Sequence, residues 1–212
     1  MKLYTYFRSS AAYRVRIALN LKGIAYEQAP VHLVKDGGQQ KTAAYQAVNP
    51  QMLVPTLELD DGTRLTQSLA IIEYLDAVHA DPKLIPADPL LAAKVRAVAL
   101  AIACDTHPLN NTRVLAYLRT TFGRSDEEVS RWYENWTLKG GLEPVEALIT
   151  DGPFCFGDQP TLADICLIPQ VFNARRFKVP IDHLPKILRV EATCQALPAF
   201  AAARPEAQPD AE

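Results

Sequence analysis

Arg8-Ser9-Ser10 closes a short β-type run, Lys2–Tyr6, and stands directly before a helical pattern, Ala11–Lys22. A helix N-terminus leaves its first amides unpaired and carries about half a positive charge, so an anion is stabilised there. Two readings fit the serines. They cap the helix, or a hydroxyl donates to a thiolate or other anion held at the same place, with Arg8 and Arg14 adding positive potential. Val54-Pro55 is a second stretch with chemical promise. The residue before a proline is pushed towards extended geometry, and a cis bond would offer the Val54 amide and carbonyl to a ligand as a strand edge. Gln67-Ser68 is a third, opening the next helix with two polar side chains. One such site is weak evidence; three at the junctions of one small domain point to binding of a small anionic ligand.

The elements that must position these residues divide the chain in two. Within residues 1–80, Val15, Ala18, Leu19 and Leu21 or Lys22 recur at helical spacing and Gly23 ends the helix. Ile24–Pro30 is extended, and Gly37-Gly38 opens a polar loop and a short helix to Val48. Val54–Leu59 is a strand, Asp61-Gly62 a hairpin turn and Arg64–Thr66 its return. Ser68 caps a helix through Val78. The result is a small mixed sheet with helices on both faces. Pro82, Pro86 and Pro89 mark a linker over 81–89. From 90 to 212 the pattern is all helical: one long helix over Leu90–Arg119, then Asp126–Ile149, Thr161–Arg176 and Pro185–Leu197. The proline- and alanine-rich tail, Arg204–Glu212, is expected to fray. The fold class is therefore α/β plus all-α. Thr161-Leu162-Ala163-Asp164 reads as a capping box with a structural role.

Bulk properties exclude several classes. With 212 residues, 49% hydrophobic and 22% charged, the chain has the make-up of a globular protein with a real core. A net charge of −2 argues against a surface built for nucleic acid. No stretch approaches the roughly 18 apolar residues of a membrane span, and the N-terminus lacks a signal-peptide pattern. A cytoplasmic protein is expected. Cys104, Cys155, Cys166 and Cys194 are scattered without a CxxC pair and read as reduced, mostly buried thiols. Four separated histidines suggest no metal site.

The order Tyr6-Phe-Arg-Ser-Ser-x-x-Tyr-Arg-Val-Arg-Ile-Ala-Leu19 resembles the signature of zeta-class glutathione transferases, whose members include maleylacetoacetate and maleylpyruvate isomerases. Asp36–Gln40 (DGGQQ), Asn49-Pro50, Val54–Leu57 and Gln67–Leu75 extend the likeness, as do Thr161–Asp164 and Pro169–Val179. It covers nearly the whole chain, and the bacterial maleylpyruvate isomerases look closest. The resemblance implies a thioredoxin-like N-terminal domain over 1–80, an all-helical domain over 90–212 that contributes the substrate site, and a homodimer. It places the glutathione sulfur near Ser9 and Ser10, and the cysteinyl backbone against Val54, where the family has a cis proline at the position of Pro55. The γ-glutamyl carboxylate falls at Gln67 and Ser68 with Gln40 nearby. His107 and Asn111 align with positions that border the site, although the family more often has glutamine where His107 stands. The family motif usually reads Ser-Ser-Cys and here ends in Ala11, so the nucleophilic sulfur must come from glutathione.

That assignment makes demands on the protein. A free thiol with a pKa near 8.5 is mostly protonated at neutral pH, and a helix N-terminus with hydroxyl donors lowers it. Addition of the thiolate to a cis double bond leaves a single bond free to rotate, and elimination from the rotated form gives the trans product and returns glutathione. Developing negative charge needs fixed donors. The two carboxylates of a dianionic substrate call for guanidinium partners, which bind them in bidentate fashion. Arg8 and Arg176 take these roles, and Arg113, which lacks a family counterpart, is a third candidate. The expected activity is conversion of maleylpyruvate to fumarylpyruvate; maleylacetoacetate isomerisation and a glutathione-conjugating transferase are the alternatives.

Overall fold

Alternation along Lys2–Thr5 buries Leu3 and Thr5 and leaves Lys2 and Tyr4 partly exposed, which is the pattern of a strand with one covered face. This strand, β1, is central in a four-stranded sheet of order β2-β1-β3-β4, with β2 Glu27–Pro30, β3 Thr56–Glu58 and β4 Arg64–Thr66. β1 pairs in parallel with β2 (Leu3 opposite Gln28) and antiparallel with β3 (Leu3 opposite Leu57), which in turn pairs antiparallel with β4. The mixed sheet expected from the sequence is present.

The computed structural model describes residues 1–212 and divides into two units, Met1–Leu84 with Gln195–Glu212, and Ile85–Cys194. In the first, helix α1 (Ser10–Leu21) packs against α3 (Ser68–Val78) and α10 (Pro198–Ala203); a short α2 spans Ala43–Gln46. α1 buries Val15, Ile17, Ala18 and Leu19 and stops at Gly23, whose φ of 65° favours glycine. The start of the linker is pinned to this unit. Lys22 Nζ, on a fully buried side chain, lies 2.7 Å from Asp76 Oδ1 and donates to the carbonyls of His79 and Pro82, while Asp76 also accepts from the Leu84 amide at 2.8 Å.

The tail does not fray. Gln208 is 5% exposed, donates to the carbonyls of Ala202 and Arg204 and accepts from Gln28. Glu212 pairs with Lys35 and His32. Composition alone suggested a loose end because these partners are set by contacts remote in sequence. The division expected at 81–89 therefore has a second boundary, where the chain returns to the first unit after α9 (Pro185–Gln195).

In the second unit the expected helix over Leu90–Arg119 is interrupted. α4 (Pro89–Leu100) runs into a π-helical turn over Ala101–Thr106 and a 3-10 turn over Pro108–Asn110 before α5 (Thr112–Thr120). Pro108 has no amide to donate, and its ring clashes with the preceding turn. Asp126–Ile149 is likewise split into α6 (Asp126–Thr137), a π turn over Leu138–Leu142 and α7 (Glu143–Leu148). The two π turns meet at Gly141, where a β-carbon would lie 2.6 Å from Thr106 Oγ1. Only glycine fits there. α8 (Leu162–Arg176) is the buried centre of this unit, and the Thr161–Asp164 capping box at its start is formed as expected.

Candidate active site

Ser9 caps α1, its Oγ accepting from the Ala12 amide at 3.2 Å. A hydroxyl has one proton besides its acceptor lone pairs, so capping leaves Ser9 able to donate outward. The capping reading of this serine is met, and the cap leaves the proton that the other reading requires. Ser10 is buried in the first turn, while Ser9 is half-exposed. Arg8 is exposed, with its guanidinium carbon 4.6 Å from the centre of the Phe7 ring.

The second candidate anion site, Gln67-Ser68, is built on strained backbone. Gln67, before α3, has φ 67° and ψ 117°, a left-handed φ that costs a non-glycine residue on the order of 1–3 kcal/mol. Its side chain donates to Gln51 Oε1 at 2.9 Å. Ser68 follows, nearly buried, and accepts from Arg14 Nη1 at 3.3 Å. Arg14 itself is only 2% exposed, so its charge reaches the α3 terminus through Ser68.

Val54 lies between these two termini in sequence, and the Val54–Pro55 bond is cis. The sheet register begins at Thr56, so strand pairing leaves the Val54 amide and carbonyl unused. The loop before it is braced from below. Asn49 Nδ2 and the Tyr45 hydroxyl both donate to the Leu53 carbonyl at 2.8 Å, and both contact Thr56 Oγ1 at 3.2 Å. Gln40 lies two residues after Gly38, whose φ of 102° favours glycine. Gln40 Oε1 is buried without a hydrogen-bond partner, an acceptor that a ligand donor can satisfy.

In the second unit, Tyr133 links the remaining candidates. The Tyr133 ring stacks on Phe177 with centroids 4.1 Å apart, and Arg176 lies 4.9 Å over Phe177. Burial pushes the Tyr133 hydroxyl well above its ordinary pKa, and the Arg176 charge opposes that only partly. Asn110 Nδ2 donates to the Tyr133 carbonyl and to Thr137 Oγ1, holding the turn that carries His107 and Asn111 on α6. Asn111 Oδ1 caps α5 through the Arg113 amide at 3.1 Å, which leaves its Nδ2 to donate. Arg113 and Arg176 are exposed. Sequence reading missed Gln51, Tyr45 and Tyr133. Each acts by holding another residue, and no local pattern marks that role. No disulfide joins the four cysteines, and no group of histidines, cysteines or acids is arranged to hold a metal ion. No helix is long and apolar enough to cross a membrane.

This arrangement matches known proteins along its length. Residues 3–83 fit the glutathione S-transferase N-terminal domain and residues 126–202 the glutathione S-transferase C-terminal domain. A maleylacetoacetate isomerase of Pseudomonas aeruginosa is 50% identical over 99% of this chain and 98% of its own. A solved holo structure described as a maleylpyruvate isomerase, a bacterial glutathione transferase of zeta class, is 46% identical with a TM-score of 0.95 and full coverage of both chains. A maleylacetoacetate isomerase of Methylobacterium extorquens AM1, solved with malonate and glutathione bound, is 40% identical with a TM-score of 0.95, again over the whole of both chains.

Proposed function

Because this chain belongs to the glutathione S-transferase family, we propose that it is a glutathione-dependent cis-trans isomerase that converts maleylpyruvate to fumarylpyruvate. The observation that carries the reading is Ser9, fixed as the cap of α1 with its proton free, at a helix N-terminus that has Ala11 where a protein thiol would stand. Bound glutathione supplies a thiolate that adds reversibly to the cis double bond.

The residues of the chain do the rest. Ser9 and the first amides of α1 favour an ionised sulfur over a thiol, and Ser10 packs that turn. Val54 pairs with the peptide backbone of the cofactor as an extra strand edge beside Pro55. Gln67 and Ser68, backed by Arg14, receive a carboxylate at the α3 terminus, and the unsatisfied Gln40 oxygen accepts a donor from the same ligand. His107 and Asn111 are further contacts for the cofactor. Arg8, Arg176 and, more weakly, Arg113 hold the carboxylates of the dianionic substrate. The enzyme acts in the cytoplasm as a homodimer in aromatic-compound catabolism, and four cysteines without a disulfide suit a reducing compartment.

The second reading, maleylacetoacetate isomerase, is favoured by the name of the Pseudomonas relative. Offering both compounds to purified enzyme, with and without glutathione, separates the two. Turnover without glutathione overturns the mechanism, and its stoichiometric consumption points to a conjugating transferase. Arg176→Ala is expected to reduce dicarboxylate turnover on the order of 100-fold while leaving glutathione binding nearly intact; equal losses remove Arg176 from the substrate role.

A further inference from the structure

The turn that carries Arg8 and Ser9 is held from two sides. From below, the fully buried Arg16 donates through Nη2 to the Phe7 carbonyl at 3.0 Å, and through Nη1 to the Tyr6 carbonyl at 3.3 Å and Thr5 Oγ1 at 3.0 Å. Its Nε donates to the Ala203 carbonyl, so the same guanidinium reaches the end of α10. From the other side, the Phe7 amide donates to Asp210 Oδ2 at 3.0 Å, across 203 positions of sequence. The Tyr6 carbonyl also accepts from the Ser9 amide at 2.9 Å. Both polar groups of the Phe7 backbone are thus committed, one to α1 and one to the tail. The Phe7 ring, packed edge-on to Tyr6 at 4.8 Å, is the seat over which the Arg8 guanidinium lies.

We propose that Asp210 is a positioning residue for the reaction: acting through Phe7, the C-terminal tail sets Arg8 where it meets a substrate carboxylate. This rests on the substrate role given to Arg8 above. A neutral acceptor would satisfy one amide, yet a carboxylate stands there. Its second oxygen is buried without a hydrogen bond, and its charge offsets part of the cost of burying Arg16. A charge-assisted bond of this kind is shorter and stronger than a neutral one. Gln208, bonded to two carbonyls and to Gln28, sets the tail's course two residues earlier.

The test is a double-mutant cycle on the full chain. Asp210→Ala is expected to lower kcat/KM for maleylpyruvate, at saturating glutathione, about tenfold, with glutathione affinity by calorimetry unchanged. In an Arg8→Ala background the same change is expected to cost less than about twofold, because its effect passes through Arg8. Asp210→Asn, which keeps an acceptor for the Phe7 amide but loses the charge facing Arg16, is expected to recover only part of the loss. Phe7→Leu keeps the amide bond but removes the ring, and is expected to reproduce the loss even if Asp210→Ala folds poorly. An unchanged kcat/KM in Asp210→Ala and Phe7→Leu overturns the proposal. So does a loss of equal size with and without Arg8, or one matched by weaker glutathione binding. Full turnover in Arg8→Ala alone strikes instead at the substrate role of Arg8.

Discussion

The Arg14 guanidinium and the Ser68 hydroxyl, 54 positions apart, meet at 3.3 Å inside the first unit and tie the body of α1 to the mouth of α3. Two of the candidate anion sites are therefore one mechanical piece. A ligand spanning both termini meets a fixed distance, because each terminus is anchored on the same buried helix.

That link makes Ser68→Ala informative. The variant removes an acceptor from a buried guanidinium and a hydroxyl from the α3 terminus, and is expected to weaken glutathione binding by about 1–2 kcal/mol, roughly tenfold. kcat at saturating glutathione is expected to stay within about twofold, since the role proposed for Ser68 is at a carboxylate of the cofactor and not at its sulfur. Calorimetric Kd and steady-state kcat check both; a fall in kcat with unchanged Kd would place Ser68 in the chemistry instead.

Ser9→Ala separates capping from catalysis. Loss of the cap costs about 1 kcal/mol of stability, while loss of a donor aimed at developing charge costs on the order of 100-fold in kcat. Without that donor the bound thiol holds its proton to higher pH, so the acidic limb of the rate profile moves upward. Ultraviolet absorbance of the thiolate in the binary complex, titrated against pH, reads the shift directly. A melt shifted downward with an unmoved titration would leave Ser9 as a cap only.

Much of this site was legible because its chemistry is local. Helix starts at Ser9 and Ser68, the hairpin at Asp61-Gly62 and the proline at 55 all announce themselves within a few residues. The capping box at Thr161 did the same. What escaped is what depends on distant partners. The bond from the Phe7 amide to Asp210 and the stacking of Tyr133 on Phe177 have no signature in either segment alone. The breaks at Ala101–Thr106 and Leu138–Leu142 escaped for another reason: a π turn slips the apolar phase by about one residue without ending the helical pattern.

Asp164 sets a pH dependence. Burial raises its pKa, partly offset by bonds from the Cys155 amide at 2.7 Å and from the Thr161 amide and hydroxyl. The folded protein therefore holds this proton to higher pH than the unfolded chain does. Its contribution to stability is full below the ordinary aspartate pKa of about 3.9 and declines as pH rises through the raised value. Asp164→Asn cannot ionise, so the stability of the parent relative to this variant is expected to fall as the solution moves from acid towards neutrality. Urea titrations of both proteins across that range decide it, and a difference that grows with pH would contradict the sign.

Lys22 and Asp76 carry the last prediction. Both are nearly out of water, 2.7 Å apart, and the same carboxylate oxygen takes the Leu84 amide. Removing one member of a buried ion pair strands the other, at a cost of about 3–5 kcal/mol, whereas removing both charges costs much less. Lys22→Met is thus expected to be strongly destabilising. Adding Asp76→Asn should recover a large part of the loss, because asparagine keeps an acceptor for Leu84 while removing the stranded charge. Glutathione affinity is expected to follow the same order, since Lys22 also holds the carbonyls of His79 and Pro82, where α3 ends and the chain leaves the first unit. Thermal melts of the two variants beside the parent check the order. A double variant less stable than Lys22→Met would mean that the pair contributes through Asp76's other bonds and not through charge balance.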